Sequence, residues 1–127
     1  MLSVAGRFFT RISIVLAQEA AMFVVIYQWK LKAGSDAEFR EAWRQATQAI
    51  YEKRGSLGSQ LMQSKDGIYH AVAKWQERDQ WVNRSQPEAA DPQAMQTMGE
   101  LIEESFPPLE LEVTDDMLAL EPCSLQD

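Results

Sequence analysis

At 127 residues, with 46% hydrophobic and 24% charged side chains, the chain has the composition of a single globular domain. Its net charge of −7 argues against nucleic acid and anionic membrane surfaces as partners, because both are negatively charged. One cysteine and one histidine exclude an internal disulfide and a metal site built on clusters of these residues, which fits a reducing, cytoplasmic location.

The first 21 residues differ in composition from the rest. They contain two arginines among apolar residues, and no acid until Glu19. An acid-poor amphipathic start is typical of a transit peptide; the alternatives are an upstream start codon, with Met22 opening the domain, or an ordered N-terminal helix. We expect an extension over residues 1–21, a domain over residues 22–118 and a tail over residues 119–127. No run reaches the roughly 18–20 apolar residues of a membrane span.

The segment from Met22 to Lys32 predicts the first strand, because it is rich in β-branched and aromatic residues and alternates in polarity toward its end. Its first half is apolar on both faces, as in a strand that is covered on both sides. The break at Ala33-Gly34 ends it. One face is predicted to carry Phe23, Val25, Tyr27, Trp29 and Leu31.

A helix is predicted from Ser35 to Arg54. Ser35 and Glu38 have the spacing of a capping box, and Gly55 is a natural residue to follow the helix end. An amphipathic stripe at helical spacing marks the side that packs on the sheet. The stripe consists of Phe39, Trp43, Ala46 and Ile50.

Two strands joined by a tight turn follow the helix. Residues Leu57 to Ser64 form a weaker strand pattern, and Ile68 to Trp75 form the return strand. The Asp66-Gly67 pair between them is a hairpin signal.

The last third of the domain predicts a short helix with Trp81, a second helical piece capped by Asp91, and a final strand. The second helix is expected to bury Met95, Met98, Leu101 and Ile102 and to end at Pro107-Pro108. The final strand, Leu109 to Thr114, alternates cleanly, with Leu109, Leu111 and Val113 predicted to point inward.

This order predicts an α+β, ferredoxin-like βαββαβ fold with a four-stranded antiparallel sheet and helices on one face. The other face of the sheet is also apolar near the start of the first strand, and an uncovered apolar face is a partner surface. Packing two such sheets together buries both faces. We therefore expect a homodimer, built as a dimeric α/β barrel.

The pattern resembles the antibiotic biosynthesis monooxygenase domain family. The resemblance covers about residues 22–114 and is carried by the opening strand VIYQWKLKAG with its helix, the KDG hairpin into IYHAVAKW, and the helix start WQERDQW. It implies the fold above. It also implies a cofactor-independent oxygenase, a haem-degrading enzyme or a member of unknown role, since the family includes all three.

The family's site residues carry over only in part. Its cofactor-independent oxygenases have an asparagine on the return strand and a tryptophan four residues on; Trp75 matches the tryptophan, and Ala71 stands in place of the asparagine. A tyrosine on the following helix corresponds to Trp81. The haem-degrading branch needs an asparagine where Tyr27 stands and a histidine on that helix, so the resemblance argues against haem degradation.

Four residues are candidates for catalysis, each with a structural alternative. Trp75 and Trp81 are candidates for stacking on an aromatic ring, or else they are core anchors. Tyr27 is a candidate for orienting a phenol oxygen, or else it is a structural aromatic. His70 is the one side chain that titrates near neutrality and is a candidate general base, but its parity is opposite to that of Trp75, which places it on the other sheet face. Candidate substrate-binding residues are Trp29, Phe39, Trp43, Ala71 and Met95.

The resemblance implies a monooxygenase for a small phenol or quinol, such as a polycyclic one, held in an apolar pocket without metal or cofactor. Deprotonated substrate would reduce O2 directly. Two alternatives remain open from the sequence: a non-catalytic dimer that binds a small ligand or acts in a stress response, and a purely structural dimer.

Overall fold

The computed structural model describes residues 22–124, and within that range one antiparallel sheet packs against three helices. The extension predicted over residues 1–21 and the last three residues lie outside the described part. In chain order the elements are β1 (Phe23–Leu31), α1 (Asp36–Arg54), β2 (Ser59–Gln63), β3 (Tyr69–Trp75), α2 (Arg78–Val82), α3 (Pro92–Leu101), β4 (Ile102–Ser105) and β5 (Leu109–Glu112).

The sheet has the strand order β2-β3-β1-β4, with β5 also paired to β1. Every pairing is antiparallel, so the predicted α+β fold of the ferredoxin-like type is confirmed. The sheet of this chain is open and does not close into a barrel. None of the helices between residues 22 and 124 is long and apolar enough to cross a membrane.

Strand β1 is the centre of the sheet and pairs with β3 from Phe23, opposite Trp75, to Trp29, opposite Tyr69. Directly opposed residues share a face, so these four side chains point toward the helices. All four are buried, as is Val25. The predicted grouping of Phe23, Val25 and Trp29 on one face of β1 is therefore confirmed, and the structure shows that this face is the inner one.

Helix α1 covers this inner face. It buries Phe39, Ala42 and Ala46 and ends at Gly55, whose φ of 81° is left-handed, as predicted for the residue after the helix. The predicted capping box is wrong, because the Ser35 side chain makes no cap hydrogen bond. Ser35 is in the αR region (φ −96°, ψ −2°), whereas a capping side chain requires an extended backbone.

The C-terminal part of the sheet differs from the prediction of one last strand. Helix α3 starts at the predicted cap, since the Asp91 carboxylate accepts a bond from the Ala94 amide, but it ends at Leu101. Ile102, expected on the helix, begins β4, because pairing with the end of β1 outweighs the helix propensity of the following glutamates. Residues 106–108 interrupt the strand, since proline lacks the N–H needed for the ladder. The sheet thus has five strands rather than four.

The predicted inward orientation of Leu109 and Leu111 is also wrong. They lie opposite Ile26 and Val24, on the sheet face away from the helices, and they are 52% and 43% exposed. The alternation was read correctly, but alternation alone does not say which face is covered. The outer face therefore carries a partly exposed apolar surface, which we call the outer apolar face: Val24, Ile26, Val72, Leu109 and Leu111.

Candidate active site

A cavity of about 110 Å³ lies between the sheet and helix α1. Small residues create it: Ala71 and Ala73 on β3 face Ala46 on α1, so little side-chain volume fills the space between the layers. Four aromatic side chains, Tyr27, Trp29, Trp43 and Trp75, form part of the remaining wall. The lining consists of Tyr27, Trp29, Trp43, Ala46, Thr47, Ile50, Ser56, Ser59, Ala71, Ala73, Trp75, Arg84, Met95 and Met98.

Trp75, one of the lining residues, has an unsatisfied polar group. The side chain is 2% exposed, held at the end of β3 opposite Phe23. Its indole N–H is the one buried side-chain polar group of residues 22–124 without a hydrogen-bond partner. Leaving a buried donor unpaired costs about 1–3 kcal/mol. Such a group is explained when a ligand atom accepts from it in the bound state.

Tyr27 is held in place by Trp81. The Trp81 Nε1 donates to the Tyr27 hydroxyl at 2.7 Å, and the Tyr27 ring stacks on Trp29 with the centroids 5.3 Å apart. Because the hydroxyl accepts this bond, its own proton remains available to donate. Trp81 is not part of the cavity wall; it packs with Phe23 and Trp75 in the core behind Tyr27. Its contribution to the site is therefore to fix the position of Tyr27.

Arg84 is a site residue that the sequence reasoning missed. It is the single charged side chain of the lining, and its guanidinium lies over the Trp81 ring, with Cζ 4.7 Å from the centroid. Nη1 also donates to the Trp81 carbonyl at 2.6 Å. The available signal was the arginine three residues after a helical tryptophan, a spacing at which the two side chains meet when the chain continues to turn.

Six of the nine predicted site residues line the cavity: Tyr27, Trp29, Trp43, Ala71, Trp75 and Met95. Phe39 is fully buried beneath Trp29, edge-on with the centroids 5.4 Å apart, and does not reach the cavity. Trp81 lies in the core behind Tyr27 and does not reach the cavity either. Which of these residues act on a substrate stays a prediction.

His70 is separated from the cavity by the sheet. It lies opposite Gln28 on the outer face, where its Nε2 is 3.1 Å from the Ser64 hydroxyl. A histidine there is too remote to take a proton from a ligand in the cavity without a relay. The alternation of β3 had predicted that His70 points to the sheet face opposite to that of Trp75.

The buried phenol of Tyr69 belongs to the core and not to the cavity. Burial, together with its hydrogen bond to the Asp36 carboxylate at 2.8 Å, raises the pKa of Tyr69 above its ordinary value. The lining itself contains no carboxylate, histidine, lysine or cysteine. Among residues 22–124, no three His, Cys, Asp or Glu side chains are grouped so that they could hold a metal ion. The chemistry of the site therefore depends on aromatic rings, neutral donors and one arginine.

The fold and this site can be compared with known proteins. The SnoaB cofactor-independent oxygenase from Streptomyces nogalater has a TM-score of 0.65 and 16% identity over 77% of this chain and 98% of its own. A conserved Methanosarcina mazei protein has a TM-score of 0.63 and 13% identity, covering 76% of this chain and 97% of its own. The Rv0793 protein of Mycobacterium tuberculosis has a TM-score of 0.62 and 16% identity, covering 76% of this chain and 99% of its own. At such identities the likeness concerns the fold alone. The search of curated proteins found no match.

A family model described as antibiotic biosynthesis monooxygenase matches residues 22–90, more than half of the chain. The matched range includes β1, helix α1, the β2–β3 hairpin and helix α2, and thus most of the cavity wall. The chain belongs to the antibiotic biosynthesis monooxygenase family.

Proposed function

We propose that the protein is a cofactor-independent monooxygenase that oxidises a small phenol or quinol in the cavity. The observation that carries the proposal is the cavity lined by Tyr27, Trp43 and Trp75, together with the unpaired N–H of that same Trp75. Family membership and the fold shared with the SnoaB oxygenase support the same reaction class.

The reaction balances without an added cofactor. A quinol and O2 give a hydroxyquinone and water: the substrate supplies all four electrons, one oxygen atom enters the ring and the other leaves as water. The protein would hold the ring against Trp43 and Trp75, exclude water and present donors to the developing oxygen charge. The donors are the Trp75 N–H and the Tyr27 hydroxyl, which Trp81 holds in position.

The cavity volume restricts the substrate. An apolar cavity of about 150 Å³ is known to hold benzene, and the space here is about 110 Å³. This space is smaller than the one that holds benzene, so even a single substituted ring requires some movement of the lining side chains, although less than the polycyclic phenol considered from the sequence. A polycyclic substrate would require the lining side chains to move apart.

Oxygen uptake over a panel of single-ring quinols tests the proposal, with the hydroxyquinone product measured in parallel. We expect uptake that is stoichiometric with product, and a loss of at least about tenfold in kcat/KM for Trp75→Phe, which keeps an aromatic ring but removes the N–H donor. Tyr51→Phe is the matched control, because Tyr51 is exposed on α1 away from the cavity. Absence of product across the panel would contradict the proposal.

Binding without turnover is the second candidate function. It is favoured by Ala71, which is 1% exposed. Alanine supplies no polar group at the position where, by the resemblance, the family's cofactor-independent oxygenases have an asparagine. Quinol titrations followed by tryptophan fluorescence separate the two functions. Saturable binding without oxygen uptake would support the second and refute the first.

We further propose that the domain spans residues 22–118 and is a homodimer joined through the outer apolar face. Half-buried Val24 and Ile26 adjoin exposed Leu109 and Leu111 there, and a second copy would cover all four. Light scattering on a sizing column should give twice the monomer mass for the native chain and the monomer mass for Leu109→Glu. Tyr51→Glu, on the helix side, should remain dimeric. A native monomer would refute this assembly.

A further inference from the structure

Arg84 brings a positive charge to a cavity that has no negative one. The side chain is half-buried, and its guanidinium is fixed at the wall by the Trp81 ring and by the 2.6 Å bond to the Trp81 carbonyl. Its Nε and Nη2 donors make no hydrogen bond to any residue of the described range. These donors are therefore available to a ligand.

The charge of Arg84 has no counter-ion within residues 22–124. The three ion pairs of that range all lie elsewhere, at Lys30–Glu103, Arg44–Glu41 and Arg78–Glu110. Arg84 is only half-buried, and an arginine without a counter-ion at a cavity wall is suited to bind an anionic ligand through charge-assisted hydrogen bonds.

The surroundings of Arg84 do not supply a hidden acid at the cavity. Helix α1 contributes two cations to this region: Arg54 donates to the Arg84 carbonyl at 2.7 Å, and Lys53 donates to the Ala90 carbonyl. Glu88, on the same loop as Arg84, is exposed and offers only its backbone carbonyl, to Arg54. The titratable and charged groups of the elements packed around Arg84 are Tyr27 of β1, Lys53 and Arg54 of α1, Arg78 and Asp79 of α2, and Glu88.

The cavity also has no group to act as a general base. Its lining contains no carboxylate, histidine, lysine or cysteine, and the Tyr27 hydroxyl already accepts the Trp81 N–H. His70 lies on the other side of the sheet. A phenol bound here must therefore lose its proton to water and not to the protein.

We infer that the cavity binds phenols and quinols as their phenolate anions, with the Arg84 guanidinium as the counter-charge. The Trp75 N–H would be a second donor, either to the phenolate oxygen or to the negative charge that develops on O2 beside it. This inference rests on the proposed function for the class of substrate and for its deprotonated form, and it adds the residue that selects that form. The pH at which the substrate binds would then follow the acidity of the substrate itself.

The test uses 4-nitrophenol, a single-ring probe whose phenol and phenolate forms absorb at different wavelengths. Absorbance is followed against pH, with the full chain in excess and without any quinol. We expect the bound probe to ionise about one pKa unit below the free probe, which corresponds to an about tenfold preference for the anion. 4-Nitroanisole, which has no proton to lose, should bind less tightly than the phenolate.

Variants assign the shift to Arg84. Arg84→Gln should abolish it, and Arg84→Lys should retain most of it. Arg78→Gln is the matched control: Arg78 also lies over the Trp81 ring, 6.0 Å from its centroid, but it is exposed, outside the lining and paired with Glu110. The control should keep the shift. Circular dichroism checks that each variant is folded.

The native protein alone already decides the inference if a variant does not fold. No binding of 4-nitrophenol, or ionisation of the bound probe at or above the free value, would overturn it; so would an unchanged shift in a folded Arg84→Gln. Because the probe assay needs no turnover, a probe shift without oxygen uptake would overturn the proposed monooxygenase reaction alone. Oxygen uptake without a probe shift would overturn the phenolate inference alone.

Discussion

Replacing Tyr27 by phenylalanine removes the acceptor that holds Trp81. The ring still stacks on Trp29, but the Trp81 N–H, 2.7 Å from the hydroxyl in the native protein, has no acceptor left. Trp81 is 8% exposed, so water does not readily replace the hydroxyl. We expect the free energy of unfolding to fall by about 1–3 kcal/mol, the cost of an unpaired buried donor. For a domain of this size, that lowers Tm by at least about 4 °C.

Urea denaturation followed by tryptophan fluorescence measures this change. Tyr51→Phe removes the same hydroxyl from an exposed tyrosine on α1 and should change stability by less than about 0.5 kcal/mol. A double-mutant cycle with Trp81→Phe isolates the bond, since the double variant should lose less stability than the two single losses together. Equal stability of Tyr27→Phe and Tyr51→Phe would refute the reasoning.

Two further predictions concern the rest of the fold. Because burial and the bond to Asp36 raise the pKa of Tyr69, its contribution to stability is complete below its ordinary value of 10.0 and is lost as pH rises through the raised folded value. Tyr69→Phe should flatten this alkaline decline in urea titrations, and an unchanged decline would contradict the assignment. Asp91→Ala should destabilise the protein by about 0.5–2 kcal/mol, since the carboxylate caps α3; Asp91→Asn, which retains a capping oxygen, should recover most of the loss in thermal denaturation.

Local sequence signals predicted most of the elements. The alternation of β1 identified which of its residues share a face, the apolar stripe identified α1, and the Asp66-Gly67 pair identified the β2–β3 hairpin, with Gly67 at a φ of 90°. Each of these signals lies within a few residues of the structure it specifies. The prediction went wrong where pairing over a distance decides: Ile102 was assigned to a helix because it continues the apolar spacing of Met95 and Met98, yet it begins a strand that pairs with the end of β1.

For the site, residue types predicted the aromatic character of the cavity but not its polar chemistry. The predicted alternation placed Tyr27 and Trp29 on one face of β1 and Trp75 on one face of β3, and the structure showed that these faces meet the helices. The partner of Tyr27 is 54 positions away, at Trp81, and no periodicity encodes that bond. Arg84 was missed because a single arginine in a loop is usually solvated.

The sequence by itself therefore determined the order of the elements as far as α3, the residues that share a face of the central strand and the membership of a family, because patterns along the chain carry all three. Only the tertiary structure decided that Leu109 and Leu111 face outward and that, within residues 22–124, the arginine at the cavity has no counter-ion and the Trp75 N–H no acceptor. These features depend on which distant segments pack together. The physical reason is that charge pairing and hydrogen-bond satisfaction are properties of the packed environment and not of the local chain.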